Sequence, residues 1–89
     1  MDLVFLDSFY KDIKKLKDST IRKRLKSILI SLEQTNDVFN SKHLVKMKGH
    51  PEAYRVRVGV YRLGCYVKSD NKIIIARFVK RNDIYKLFP

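Results

Sequence analysis

Cysteine occurs once in this 89-residue chain, as Cys65, so no internal disulfide can form and a disulfide-built secreted scaffold is excluded. Glycine is limited to Gly49, Gly59 and Gly64, too few and too scattered for a loop that cradles phosphate. No apolar run approaches the roughly 20 residues of a membrane span. The opening residues carry Asp2 and Asp7 where a signal peptide needs positive charge, so a cytoplasmic protein is expected. There is no Ser-His-Asp constellation and no pair of carboxylates in a common helix or strand. His43 and His50 lie in irregular sequence without a second cysteine, and neither a metal nor a cofactor is expected. Acid is scarce in the second half. From Lys42 onwards there are 12 Lys/Arg against 3 Asp/Glu, whereas Met1 to Ser41 holds 8 against 6. The +11 total is therefore concentrated in one region, which draws in polyanions, nucleic acid first among them. A membrane surface fits less well, because the excess lies on expected strands and not along one basic amphipathic helix.

Within that region, Ala53 to Val58 alternates apolar and cationic residues, and Tyr61 to Val67 resumes a strand-like pattern after Gly59-Val60. Glycine at the first central position of a two-residue loop predicts a type II′ hairpin. That register pairs Val58 with Tyr61, Arg57 with Arg62, Val56 with Leu63, Arg55 with Gly64 and Tyr54 with Cys65. One face becomes an apolar ladder. The other carries Arg55, Arg57 and Arg62, with Gly64 leaving space beside them. Opposed like charges cost some tenths of a kcal/mol up to about 1 per pair. Such a face is either a solvated surface with splayed side chains or a receptor for an anion, and the charge concentration favours the receptor.

Upstream, Leu3 to Leu6 suits a strand, and Asp7-Ser8 can cap a helix bearing Phe9, Ile13 and Leu16. Lys17 to Thr20 breaks the pattern and offers a second cap. Ile21, Leu25, Ile28, Leu29 and Leu32 then form one stripe, with Arg22, Lys23, Arg24 and Lys26 expected on a solvated face. Between Thr35 and Pro51 the periodicity fails, and Asn36, Asn40, Gly49 and Pro51 mark a loop in which Lys46 and Lys48 are basic. Ile73 to Val79 is a third C-terminal strand, paired Val67 with Ile74, Cys65 with Ala76, Leu63 with Phe78 and Gly64 with Arg77. Arg77 should thus join the cationic face, and Cys65 should be a small buried hydrophobe. Lys80 to Tyr85 leaves the sheet as a polar segment. The expected fold is a single α+β domain over 1–89, β-α-α-loop-β-β-β, an antiparallel sheet with an αα-hairpin packed on one face and arginines on the other. At 45% hydrophobic residues the chain should fold, but a core this small would gain from a stabilising partner.

The run from Lys46 to Leu63, KMKGHPEAYRVRVGVYRL, resembles the "LKGhpeaYRvRvGdYRv" segment of RelE/ParE-superfamily toxins from type II toxin–antitoxin pairs. KRNDIY at Lys80 to Tyr85 is similar to that family's "hRrdIY" ending. The resemblance spans almost the whole chain, and it implies a toxin with one of two activities on the same fold. RelE-like members cut mRNA in the ribosomal A site, and ParE-like members inhibit DNA gyrase. The RelE-like catalytic set corresponds to Arg55, Arg57, Arg62, Arg81 and Tyr85, all filled with suitable groups, so the resemblance implies a metal-independent endoribonuclease (mRNA interferase). Lys46, Lys48, Arg77 and Lys80 are then expected to bind RNA, and a RelB-like antitoxin is the implied partner. Many relatives have lysine where this chain has Arg55 and Arg57. Arginine cannot give up its proton, which leaves Lys80 and Tyr85 as candidates for the general base. A non-catalytic RNA-binding relative is the remaining alternative.

Overall fold

The computed structural model describes residues 1–36 and 43–89; Asn40, expected in the irregular segment, lies outside them. In chain order the elements are β1 (Asp2–Phe5), α1 (Asp7–Lys15), α2 (Ser19–Gln34), β2 (Leu44–Lys46), β3 (Ala53–Val58), β4 (Tyr61–Lys68), β5 (Lys72–Lys80) and α3 (Arg81–Leu87). The five strands form one sheet in the order β1-β5-β4-β3-β2, with β1 parallel to β5 and the other neighbours antiparallel. The α+β fold is as expected, except that the sheet is mixed and not wholly antiparallel, because β1 runs parallel to β5, and two elements are added. Strand β2 is three residues inside the expected loop, and α3 replaces the expected polar segment.

The helix caps divide the two α1/α2 expectations. Asp18 accepts from the N–H groups of Thr20 and Ile21 and so starts α2, a contribution of about 1 kcal/mol. Asp7 and Ser8 do not cap α1. Leu6 precedes that helix with no side-chain cap, and the Ser8 hydroxyl donates instead to Ala76 O at 2.6 Å. Arg22 is also more than a solvated charge. Its guanidinium donates to Leu16 O and to Ile13 O, which also accepts the Leu16 N–H, and so closes the C-terminal end of α1.

Under the helices lies the main core, in which Leu32 of α2 meets Val56, Leu63, Cys65, Ile73 and Ile75, none more than 1% exposed. Each such aliphatic side chain contributes roughly 2 kcal/mol by leaving water. Pairing of β3 with β4 follows the expected register at every position from Tyr54↔Cys65 to Val58↔Tyr61. Gly59 has φ 61° and Val60 has no positive φ, as a type II′ turn requires. Pairing of β4 with β5 departs from expectation halfway along. Leu63↔Phe78 and Gly64↔Arg77 hold, but Cys65 pairs with Ile75, not Ala76, and Val67 with Ile73, not Ile74. Ala76 is the extra residue of a β-bulge. The shift puts the two larger isoleucines, Ile73 and Ile75, into the main core and moves Ala76 to a second cluster.

That second cluster lies on the arginine face, which is therefore not purely polar. Ile84 of α3 and Phe88 pack with Met47, Ala53 and Ala76, flanked by Tyr66 and Val79. Phe88 stacks at a tilt on Tyr66, ring centroids 4.9 Å apart. A Cβ at Gly64 would come within 2.7 Å of the Phe88 ring. The space at Gly64 is thus filled by Phe88 and is not left open beside the arginines.

Candidate functional site

Register and one backbone bond assemble the site. The type II′ turn sets Arg57 directly across from Arg62, and the same end of β4 pairs Tyr61 with Lys80. Arg81 N–H then donates to Val60 O at 2.9 Å, tying the first residue of α3 to the hairpin tip. Two stretches distant in sequence, the hairpin tip and the β5–α3 junction, so converge on one cleft of about 500 Å³, lined by Arg57, Gly59, Val60, Arg62, Lys80, Arg81 and Asn82. Among the described residues, no carboxylate lies within ion-pair distance of Arg55, Arg57, Arg62 or Arg81.

At the floor is Arg62, only 8% exposed. One terminal nitrogen donates to Gly59 O at 3.0 Å and to Tyr61 O at 2.8 Å. No buried side-chain nitrogen or oxygen among the described residues lacks a partner, so the remaining Arg62 donors reach solvent in the cleft. Burial, then the charges of Arg57, Arg55 and Arg81, hold the Arg62 guanidinium below its ordinary pKa, while Tyr85 acts in the opposite direction. A cation kept charged against that pressure gains from any anion that enters. The arrangement offers forked donors and uncompensated positive charge, which suits a phosphate.

Of the expected site residues, Arg57, Arg62, Lys80 and Arg81 line the cleft, and Arg55 and Tyr85 act electrostatically on its floor. Tyr85 is 66% exposed on α3, free of the core and available to a ligand. Arg77 does not join this group. It forms a bidentate pair with Asp12 of α1, Nε to Oδ2 at 2.8 Å and a terminal nitrogen to Oδ1 at 3.0 Å. The cause is the end of β1, which pairs with β5 only as far as Ile75. Beyond it α1 takes the place of a strand, and Asp12 Oδ2 also accepts the Phe78 N–H at 2.9 Å. Lys46 and Lys48 are exposed but do not line the cleft either. Lys46 is opposite Tyr54, so its register position belongs to the helix face. Sequence reasoning missed Val60 and Asn82 as lining residues. Asp12 was detectable in principle, since it follows Phe9 by one helical turn and interrupts an apolar face with an acid.

Cys65 is fully buried, and burial pushes its thiol up to about 12, which keeps it protonated and unreactive at neutral pH. No described helix is long and apolar enough to cross a membrane.

Residues 3–85 match the family model described as ParE toxin of type II toxin-antitoxin system, parDE. The chain is 39% identical over 90 residues to Toxin RelE3 of Methanocaldococcus jannaschii, covering 100% of both proteins. It is 38% identical over 74 residues to Putative toxin RelE1 of the same archaeon, covering 82% of this chain and 80% of that one. Among solved structures it is similar to a chain of the RelB-RelE antitoxin-toxin complex from Methanococcus jannaschii, with TM-score 0.79, 36% identity and coverage of 97% and 99%. The isolated E. coli RelE toxin aligns with TM-score 0.69 and 27% identity, covering 96% of this chain and 90% of that one.

Proposed function

This chain belongs to the RelE/ParE superfamily of toxins from type II toxin–antitoxin systems, and on that premise we propose that it is a ribosome-dependent endoribonuclease that cuts mRNA. The observation that carries the reading is the buried Arg62 of the arginine cleft, which pairs with no carboxylate among the described residues. Strand cleavage without a metal needs the ribose 2′-oxygen in line with the leaving 5′-oxygen and needs charge stabilised on a five-coordinate phosphorus. The bond from the 2′-oxygen to phosphorus forms as the bond to the 5′-oxygen breaks. A proton leaves the 2′-hydroxyl and one is delivered to the 5′-oxygen. Arg57 and Arg62 clamp the non-bridging oxygens, and Arg81 attends the leaving oxygen. Tyr85 stacks on a base or hydrogen-bonds near the 2′-hydroxyl. Arg55 and Arg57 cannot take a proton, so Lys80 or Tyr85 does so. Products carry a 2′,3′-cyclic or 3′-phosphate and a 5′-hydroxyl.

The ParE description of the matching family favours a second reading, inhibition of DNA gyrase. Primer extension on mRNA in a purified translation system, beside a gyrase supercoiling assay, separates the two. Cleavage with unaffected supercoiling is expected; blocked supercoiling with intact mRNA would reverse the ranking. RelE relatives are seen in complexes with RelB. A cytoplasmic RelB-like antitoxin, wrapping this domain with apolar and acidic segments, is the partner we assign, because it would neutralise the uncompensated charge and stabilise a small core.

A further inference from the structure

Next to the arginine cleft, a second cleft of about 320 Å³ opens between the C-terminal end of α1, the end of β5 that β1 does not reach, and α3. Lys80 lines both, so the two adjoin. Its walls include Leu16, Val79, Leu87 and the half-buried ring of Tyr61. That ring is stacked on Phe78, centroids 5.1 Å apart and planes within 9°, and so is held as a fixed platform. Exposed Lys15 and Lys80 line the same cleft. Two acids also line it. Asp12 is taken up by Arg77, and the half-buried Asp83 disfavours a phosphate beside it, leaving phosphate to the lysines.

An aromatic platform flanked by cations and joined to a phosphate site is how unpaired bases and their backbone are held together. We infer that this second cleft receives the nucleotide next to the scissile phosphate, its base against Tyr61 and its outer phosphate at Lys15. The inference rests on the ribonuclease reading of the arginine cleft and says where the substrate strand continues. Apolar walls would also suit a peptide segment, but the shared Lys80 and the cationic approach favour the RNA strand.

The test uses an uncleavable 2′-O-methyl tetranucleotide, with binding followed by fluorescence anisotropy over a range of salt. Lys15→Glu should raise Kd about tenfold and make the log–log salt slope shallower by about 0.7, the loss of one single-strand phosphate contact. Lys23→Glu, the same charge change at an exposed position of α2, should leave the slope unchanged. Equal effects of the two variants, or none from Lys15→Glu, would overturn the proposal. So would a Lys15→Glu protein that binds RNA normally but loses affinity for its antitoxin, which would assign the cleft to a peptide. A Lys15-dependent slope in a protein that leaves mRNA intact on ribosomes would sink the ribonuclease reading alone. Cleavage with a Lys15-independent slope would sink the strand path alone.

Discussion

Arg77 and Arg62 lie on neighbouring strands of the same sheet, and their surroundings are opposite. Arg77 is locked to Asp12, whose carboxylate also takes a strand-edge N–H. Arg62 is more deeply buried, bonds only backbone carbonyls among the described residues, and is surrounded by other arginines. A buried arginine with a bidentate carboxylate has its charge satisfied within the fold. One without a carboxylate keeps a free energy of charging that only a ligand can relieve. The Arg77–Asp12 pair is therefore architecture, whereas Arg62 is left for the ligand we propose.

The largest expected effect of breaking this contrast is on activity. Arg62→Ala should lower mRNA cleavage about 10³-fold, the cost of losing one preorganised donor at developing charge. Its melting temperature should stay within about 5 °C of the parent, because two lost carbonyl bonds are offset by relief of desolvation and repulsion. Activity lost together with the folding transition would make Arg62 structural and erase the contrast. Asp12→Ala should do the reverse. Leaving Arg77 partly buried and unpaired should cost about 3 kcal/mol, or on the order of 15 °C in melting, while cleavage persists at temperatures where the variant is folded. Thermal melts beside the cleavage assay check both.

How far the contrast was legible in the sequence follows from the range of each interaction. The pairing of Arg57 with Arg62 could be read, because a two-residue turn with glycine fixes the register locally. The bulge could not, since Ile73-Ile74-Ile75-Ala76 is apolar at both parities and marks neither face. Strand β2 is only three residues long, and α3 only seven and mostly polar, so neither carries much periodic signal. Arg77 was misplaced because its partner is 65 positions away, beyond any local pattern. Likewise nothing local to Gly64 announces that Phe88 returns to fill the space beside it.

Gly64→Ala sharpens that last point with a smaller effect. A methyl group there should displace the Phe88 ring at a cost of about 2 kcal/mol in denaturant melts, and cleavage should fall because α3 carries Arg81 and Tyr85. Smallest is the effect of Cys65. Its thiol ionises near its ordinary 9.0 when unfolded but only at about 12 when folded. Its contribution is therefore constant below pH 9 and falls as pH rises towards 12, because alkali favours the unfolded thiolate. The denaturant midpoint of the parent should decline over that window more steeply than that of Cys65→Val.

The most direct test of the Arg62–Arg77 contrast is a titration with inorganic phosphate, followed by the arginine Nε–Hε resonances in NMR. A saturable shift of the Arg62 signal is expected, accompanied by Arg57 and Arg81, while Arg77 stays fixed on Asp12. A stationary Arg62 beside a shifting Arg77, or all four drifting linearly without saturation, would contradict it.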